Sequence, residues 1–317
     1  MNTRVSSKKP WLLVILVDSS HSMGADWGDS RVSMSKHVMD AVNSTIYELA
    51  MEHCVVSEEV KDRIDLSVLS YGGDSSSWAL LTSPTPEGYS KASGSDGWVT
   101  GYRGVSSENG QDIPYWIEIE PNGSTPMRDA IRRASEIVKK HCELFPESFP
   151  PTVINISDGE PTDSGDPIDW DDLERGCQSI TACSTNNGNA LFCNVHLDPL
   201  GDEETLLYPE KPGITEHQRG LWGMSSEVPK HLYPFLFSEG LDEGVGNRRF
   251  YVYNADLPAF QRFLVFGTRR TELNPLLIEG LVAETRDSES FQRETLPVAE
   301  GANEVVIDAD FSIVEEE

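Results

Sequence analysis

The clearest pattern in this sequence is an apolar run, residues 11–17, that ends in polar residues. An uninterrupted run of this kind is typical of a strand that is buried on both faces of a sheet. Three further segments predict strands, namely 64–71, 152–157 and 190–197. Apolar residues at helical spacing predict helices over about 30–51, 126–144 and 171–182. Strands and helices therefore alternate along the chain.

Carboxylate and hydroxyl side chains follow the first predicted strand directly. Asp18, Ser20 and Ser22 stand at alternate positions in the loop after residues 11–17. In open α/β sheets, ligands bind outside the carboxyl ends of the strands. Mg²⁺ takes one or two carboxylates, neutral oxygens and retained water, so these oxygen donors suit it. A polar turn in which Asp18 or Ser20 caps the next helix is the alternative interpretation.

Two later segments add oxygen donors at strand ends. Thr125 follows the alternating stretch 116–119 and precedes Pro126, which also makes it a good helix N-cap. Asp158 follows the strand 152–157 and begins an Asp-Gly step, which is also typical of a simple turn. Each segment says little alone. Together, the three strand ends predict a metal site formed by Asp18, Ser20, Ser22, Thr125 and Asp158.

This arrangement resembles the von Willebrand factor A (VWA) family, whose metal-ion-dependent adhesion site uses D-x-S-x-S, a later Thr and an Asp in an Asp-Gly step. The resemblance covers roughly residues 10–270. It implies an α/β fold that is doubly wound, with a mostly parallel central sheet and helices on both faces. It also implies a closing strand at 249–253 and a last helix around Leu257 to Leu264. His21 stands where the family usually has Gly, and it either reaches the metal rim or points to solvent.

The resemblance and the local composition divide the chain into three parts. Residues 1–10 form an N-terminal extension, 11–270 a VWA domain and 271–317 an acidic C-terminal extension. Within the domain, 72–112 and 199–247 are too long for ordinary connections, so both are predicted to be insertions.

The charge of the chain restricts the classes of partner. The formal net charge is −28, which repels phosphate backbones and anionic membrane surfaces, so we expect neither nucleic acid nor membrane as a partner. After Arg293 the chain has eight acidic residues and no basic one. This tail either only solvates the protein, binds a basic partner surface, or supplies a carboxylate to the metal of another copy.

Cysteine usage and the lengths of the apolar runs predict a cytoplasmic protein. The five cysteines lack the paired short spacing of a zinc site or a disulfide framework, so we expect them to be reduced and buried. The run at 11–17 is short for the core of a signal peptide and lacks a small-residue cleavage site. No stretch approaches the roughly 20 apolar residues that span a membrane.

The resemblance implies a binding module rather than an enzyme. Few anionic ligands leave Mg²⁺ or Mn²⁺ electrophilic, with an open position for an Asp or Glu of a protein partner. Intracellular bacterial members of the family imply an accessory or adaptor subunit of a stress-response or conflict system, acting with an AAA+ ATPase or a kinase–phosphatase pair. The alternative is a metal-dependent phosphoester hydrolase with His21 or Asp26 as base. We disfavour it because the loop offers mainly hydroxyls.

Overall fold

The computed structural model describes residues 5–28, 31–73, 78–80, 87–94, 97–99, 103–106, 112–198, 205–233 and 247–254, with residues 236, 260 and 263. Its main strands are β1 (Trp11–Asp18), β2 (Ile64–Tyr71), β3 (Trp78–Leu80), β4 (Thr152–Ser157), β5 (Leu191–His196), β6 (Leu206–Leu207) and β7 (Tyr251–Tyr253). Its α-helices are α1 (Met34–Leu49), α2 (Met127–Leu144), α3 (Trp170–Thr181) and α4 (Glu216–Met224). All of these elements lie in the first of the chain's two units, Met1–Asn274.

Within the described residues, the central sheet has seven strands in the order β6-β7-β5-β4-β1-β2-β3. The neighbouring pairs from β7 to β2 are parallel. The two edge strands, β3 and β6, pair antiparallel with their neighbours. The fold is therefore a mixed α/β fold with a mostly parallel sheet. The loops that follow β1, β4 and β5 leave the sheet at one common edge, which is where ligands bind in such sheets.

Strand β1 is buried along its whole length, as its apolar run predicts. Its alternate side chains belong to two separate core clusters. Leu13, Ile15 and Val17 belong to the cluster that includes α1. Leu12, Val14 and Leu16 belong to the cluster that includes α2, α3 and α4. Burying such a side chain stabilises the fold by about 1.5–3 kcal/mol. The loop after β1 therefore starts from a firmly held strand.

The predicted strand at 116–119, before Thr125, is wrong, because these residues lie beyond the strand Asp112–Tyr115 and form no strand. The other predicted elements that the structure describes agree with it at their centres and differ at their ends. Strands 64–71 and 152–157 are confirmed, whereas the predicted strand 190–197 is shortened to β5. Helix α1 begins later than predicted, because the Ser33 hydroxyl accepts a hydrogen bond from the Lys36 amide and caps it. The predicted last helix lies outside the described residues except for Phe260 and Phe263, which are buried.

The two predicted insertions contain regular elements where they are described. In the first, β3 extends the sheet beside β2, and Arg103–Ser106 pairs with Asp112–Tyr115. The second contains α4, which the apolar pattern did not predict. A signal for α4 was present, because the Thr215 hydroxyl accepts from the Gln218 amide at 3.1 Å and the Gln218 side chain accepts from the Thr215 amide at 3.0 Å. This reciprocal pair is a capping box.

The cysteines and the helices bear on the predicted compartment. All five cysteines are free thiols. Burial raises the pKa of the Cys54 and Cys142 thiols to about 12, so both are protonated and unreactive near neutral pH. In the described part of the chain, no helix has the length and apolar character needed to cross a membrane. The cytoplasmic location stays a prediction.

A buried asparagine on α1 anchors the segment that leads towards the sheet edge. The Asn43 amide nitrogen donates to the carbonyl oxygens of Met39 and Ile117, at 2.9 and 3.0 Å. Its side-chain oxygen accepts from the amides of Trp116 and Ile117, at 2.7 and 3.1 Å. One side chain thus holds Trp116 and Ile117 against α1, and the chain runs on from there to residues 122–125.

We predict that Asn43→Ala lowers the free energy of unfolding by about 3 kcal/mol, because it leaves buried backbone groups unpaired. Urea unfolding followed by tryptophan fluorescence measures the change. Asn186→Ala is the control, since Asn186 is exposed and its side chain donates to Glu147 at the surface. We expect the control to lose less than about 1 kcal/mol. Equal losses in the two variants would contradict the anchoring role of Asn43.

Candidate functional site at the strand ends

The loop after β1 brings three of the predicted residues together at the carboxyl edge of the sheet. Asp18 is the last residue of β1 and is fully buried. Ser20 directly precedes the 3₁₀ turn His21–Gly24, and Ser22 is its second residue. The Ser20 amide donates to Oδ1 of Asp18 at 2.8 Å. The hydroxyl oxygens of Ser20 and Ser22 lie 3.0 Å apart. The alternate spacing in the sequence therefore produces one cluster of oxygen donors.

Strand β4 delivers Asp158 beside this cluster. β1 and β4 pair in parallel, with Val17 opposite Ile156, so the residues that follow leave the sheet side by side. The Ser22 hydroxyl lies close enough to the Asp158 carboxyl group to oppose the rise in its pKa. The structure thus brings together four of the five predicted residues, namely Asp18, Ser20, Ser22 and Asp158.

Ser157, the last residue of β4, is a site residue that sequence reasoning missed. Its hydroxyl donates to Oδ2 of Asp18 at 2.7 Å and accepts from the Gly159 amide at 2.9 Å. Ser157 therefore fixes the orientation of the Asp18 carboxylate. The signal for this role is the position of Ser157 opposite Asp18, which becomes visible only when the pairing of β1 with β4 is known.

Thr125 is not the N-cap of α2, contrary to the alternative role considered for it. The capping position is occupied by Pro126, which offers no side-chain capping bond. The Asp163 carboxylate accepts instead from the amides of Arg128 and Asp129, at 3.0 and 2.9 Å. Asp163 caps the helix from a distant part of the chain. The Thr125 hydroxyl is therefore available for another role.

Backbone hydrogen bonds join the loop of Thr125 to the loop after β1. The Asn122 amide donates to the Ser19 carbonyl oxygen at 2.7 Å, and the His21 amide donates to the Gly123 carbonyl oxygen at 3.0 Å. Gly123 has φ +64°, and a Cβ there would lie 2.4 Å from Cα of Gly73. Only glycine permits this close approach. Within the described residues, no hydrogen bond joins the Thr125 side chain directly to the other four predicted residues.

The two carboxyl groups of the site repel each other. Burial, followed by the charge of Asp158, raises the pKa of Asp18 to about 7, although hydrogen bonds from Ser157 and Ser20 oppose the rise. Burial and the charge of Glu160 also raise the pKa of Asp158. In the described structure, Oδ1 of Asp158 is buried without a hydrogen-bond partner. A proton or a cation would relieve this repulsion.

A buried histidine lies against the turn that carries Asp158. Nε2 of His196 is 3.1 Å from the Asp158 carbonyl oxygen, and Nδ1 is 2.9 Å from the Tyr251 hydroxyl oxygen. Burial lowers the pKa of His196 to about 4, so its ring is neutral at pH 7. A Cβ at Gly159, which has φ +93°, would lie only 2.6 Å from Nε2. The ring therefore packs directly on the backbone of the turn.

The donor set of the edge consists of two carboxylates and several hydroxyls. Among the described residues, no group of three or more His, Cys, Asp or Glu side chains is placed to hold a metal ion. Sites for zinc and other soft metals use His and Cys ligands, which this cluster lacks. Mg²⁺ and Mn²⁺ suit oxygen donors with few carboxylates and keep several waters. His21, also considered for the metal rim, is exposed.

Comparisons with known proteins identify no family. No family model and no curated protein matches the chain. One similar solved structure is the PilB minor pilin from Streptococcus sanguinis, with 10% identity and a TM-score of 0.49 over 87% of this chain and 64% of that chain. Another is the adhesive tip pilin GBS104 from Group B Streptococcus agalactiae, with 12% identity and a TM-score of 0.26 over 76% of this chain and 74% of that chain.

These comparisons contradict the family and the function predicted from the motif. The similar structures are described as pilins, and no match identifies the chain as a VWA domain. The predictions of an intracellular bacterial VWA protein, of a VWA-type metal-ion-dependent adhesion site and of a metal-dependent adaptor subunit are therefore wrong. The five predicted site residues and their ion are tested by none of these comparisons and stay a prediction. The physical reason is that D-x-S-x-S after a strand is also a common kind of polar turn. At TM-scores below 0.5, these likenesses transfer no function to this chain.

The pKa of Asp18 predicts a pH dependence of stability. In the folded protein Asp18 keeps its proton up to about pH 7, whereas its ordinary value is 3.8. The folded state therefore binds more protons than the unfolded chain between these values, and the Asp18 contribution to stability falls as pH rises. His196 contributes in the opposite direction, since its pKa is lowered to about 4.

We therefore predict that the free energy of unfolding depends on pH differently in the wild type and in Asp18→Asn. The contribution of His196 is the same in both proteins and cancels in the comparison. From pH 5 to pH 7, the free energy of unfolding of the wild type should fall by up to about 1.4 kcal/mol per pH unit relative to that of Asp18→Asn. Urea unfolding in EDTA at several pH values in this range measures the difference. Asp26→Asn, which changes an exposed carboxylate, should keep the wild-type slope. Identical slopes in all three proteins would contradict the raised pKa of Asp18.

Proposed function

We propose that the strand-end edge is the functional centre of this protein and binds Mg²⁺ or Mn²⁺ through Asp18, Ser20, Ser22, Thr125 and Asp158. The proposal rests on the two adjacent carboxyl groups, one of which has a buried oxygen without a hydrogen-bond partner among the described residues. A divalent cation supplies the positive charge that balances this pair. The proposal concerns the ion and its ligands, not the adaptor role or the family that the comparisons contradict.

The surrounding residues prepare the donors before an ion arrives. Ser157 and the Ser20 amide hold the two oxygens of Asp18 in one orientation. Ser22 is near enough to Asp158 to affect its pKa, and β1 and β4 pair in parallel, so the loops after these strands approach each other. Preformed donors reduce the conformational entropy that binding must remove. A bound cation would tie these two loops together and stabilise the edge.

We propose cation binding rather than catalysis as the role of the site. Its donors are mainly hydroxyls, whereas metal-dependent cleavage of phosphoesters commonly uses paired metal ions. A protein partner that presents Asp or Glu, an AAA+ ATPase among the candidates, stays a prediction. The acidic tail from Glu294 lies outside the described residues, and its contacts stay a prediction too.

We also propose that the α/β fold is doubly wound. The two sets of alternate side chains on β1 share their clusters with different helices, α1 for one set and α2, α3 and α4 for the other. Because successive side chains of a strand point to opposite faces of a sheet, this division supports helices on both faces.

We predict that the wild type binds Mn²⁺ and Mg²⁺ and that Asp18→Ala abolishes binding, because the variant removes one of two carboxylates. Isothermal titration calorimetry measures affinity, and thermal unfolding with and without the ion measures the linked stabilisation. Asp26→Ala is the control and should bind as the wild type does. Because Asp18 keeps its proton up to about pH 7, affinity should fall by up to about tenfold per pH unit below that value. A wild type without binding, or equal loss in both variants, contradicts the site.

We further predict that the protein binds neither duplex DNA nor anionic vesicles. Its net charge of −28 repels both surfaces. Fluorescence anisotropy of a labelled duplex at about 0.15 M salt, and co-sedimentation with phosphatidylserine vesicles, measure binding. Micromolar affinity for either surface would show that a local basic region outweighs the net charge.

A further inference from the structure

We propose that His196 is a positioning residue for Asp158 and that the Tyr251 hydroxyl holds the His196 ring in place. The inference rests on the cation site proposed above. His196 offers no free ligand atom to that site, because one ring nitrogen contacts the Asp158 carbonyl oxygen and the other contacts the Tyr251 hydroxyl. Their effect on the site passes through the backbone of the turn at Asp158 and Gly159.

The tautomer of His196 follows from its two contacts. Nε2 lies 3.1 Å from the Asp158 carbonyl oxygen, and a carbonyl oxygen can only accept a hydrogen bond. Nε2 therefore carries the hydrogen. In the neutral ring, Nδ1 then has the lone pair, and the Tyr251 hydroxyl donates to it at 2.9 Å. The Tyr251 hydroxyl therefore donates to His196, and His196 donates to the backbone carbonyl of Asp158.

The ring also limits where the turn can move. A Cβ on Gly159 would approach Nε2 to 2.6 Å, so no space remains between the ring and the turn. On its other side, the Gly159 amide donates to the Ser157 hydroxyl at 2.9 Å. The Leu197 amide donates to the Ser157 carbonyl oxygen at 2.9 Å. The backbone on both sides of Asp158 is thus held, and its carboxylate keeps one position at the edge.

Strand β7 supplies two tyrosines that contact the same histidine in different ways. Tyr251 is fully buried and hydrogen-bonds to the ring nitrogen. Tyr253 places its ring edge-on to His196, with ring centroids 4.9 Å apart, and its hydroxyl donates to Asp198 at 2.7 Å. Tyr251→Phe and Tyr253→Phe make the same chemical change, the loss of one hydroxyl group, at two positions of β7. Only Tyr251→Phe removes the hydrogen bond to the His196 ring, so Tyr253→Phe is its matched control.

The expected effect lies in cation affinity. Loss of a residue that orients a metal ligand typically weakens metal binding by about 10–100-fold. We expect Tyr251→Phe to weaken Mn²⁺ binding about tenfold at pH 7, and Tyr253→Phe to weaken it less than about twofold. Calorimetry with MnCl₂ measures both affinities on the full chain. Urea unfolding in EDTA gives the stability of each variant, so that a general loss of stability is separated from a loss of positioning.

A second measurement needs no cation. In EDTA, NMR of the imidazole nitrogens should show His196 of the wild type protonated at Nε2. Tyr251→Phe should keep the hydrogen on Nε2 but shift the Nδ1 resonance, because Nδ1 loses its hydrogen-bond donor, and it should speed hydrogen exchange of the Gly159 amide. Tyr253→Phe should leave the Nδ1 resonance and the exchange rate as in the wild type. These readouts report the position of the turn directly.

The outcomes separate the two proposals. Unchanged affinity and unchanged Gly159 exchange in Tyr251→Phe overturn the positioning role, and so do equal changes in both tyrosine variants. A wild type that binds no Mn²⁺ while the tautomer and exchange results appear as expected overturns the cation site and supports His196 as a residue that positions the turn.

Discussion

Two carboxyl groups brought together at the ends of neighbouring parallel strands are the constraint on which the site depends. β1 and β4 pair in register, so Asp18 and Asp158 leave the sheet side by side. Burial removes the water that would screen them, and the pKa of Asp18 rises to about 7. Such a pair costs free energy unless a proton or a cation balances it. The hydroxyls around it lessen that cost and orient the oxygens.

The rest of the fold holds the loops that carry this pair. β1 is packed between two core clusters, which makes the start of its loop rigid. Asn43 fixes the segment that precedes Asn122, and Gly123 then passes close to Gly73. Behind the other carboxylate, His196 packs against the turn. Contacts made far from the edge therefore decide the geometry of its donors.

The contradicted family prediction shows how little a strand-end motif says about ancestry. D-x-S-x-S requires only a buried strand followed by a polar turn, and both are present here. A cluster of oxygen donors at the carboxyl ends of the strands can arise in any parallel sheet. Membership of a family, in contrast, is recognised from similarity over a long stretch of sequence. No family model matches over this chain. The chemistry of the donors therefore has to be tested on the protein itself.

The sequence by itself determined the buried strands at 11–17, 64–71 and 152–157 and the polar residues that follow them, because apolar runs and turn residues act locally. It did not predict α4, whose capping box at Thr215 and Gln218 became evident only in the structure. Only the tertiary structure decided that Asp163 rather than Thr125 caps α2, that Ser157 faces Asp18 and that Tyr251 and His196 lie behind Asp158. These relations depend on strand register and on contacts between residues far apart in the chain, which no local pattern records.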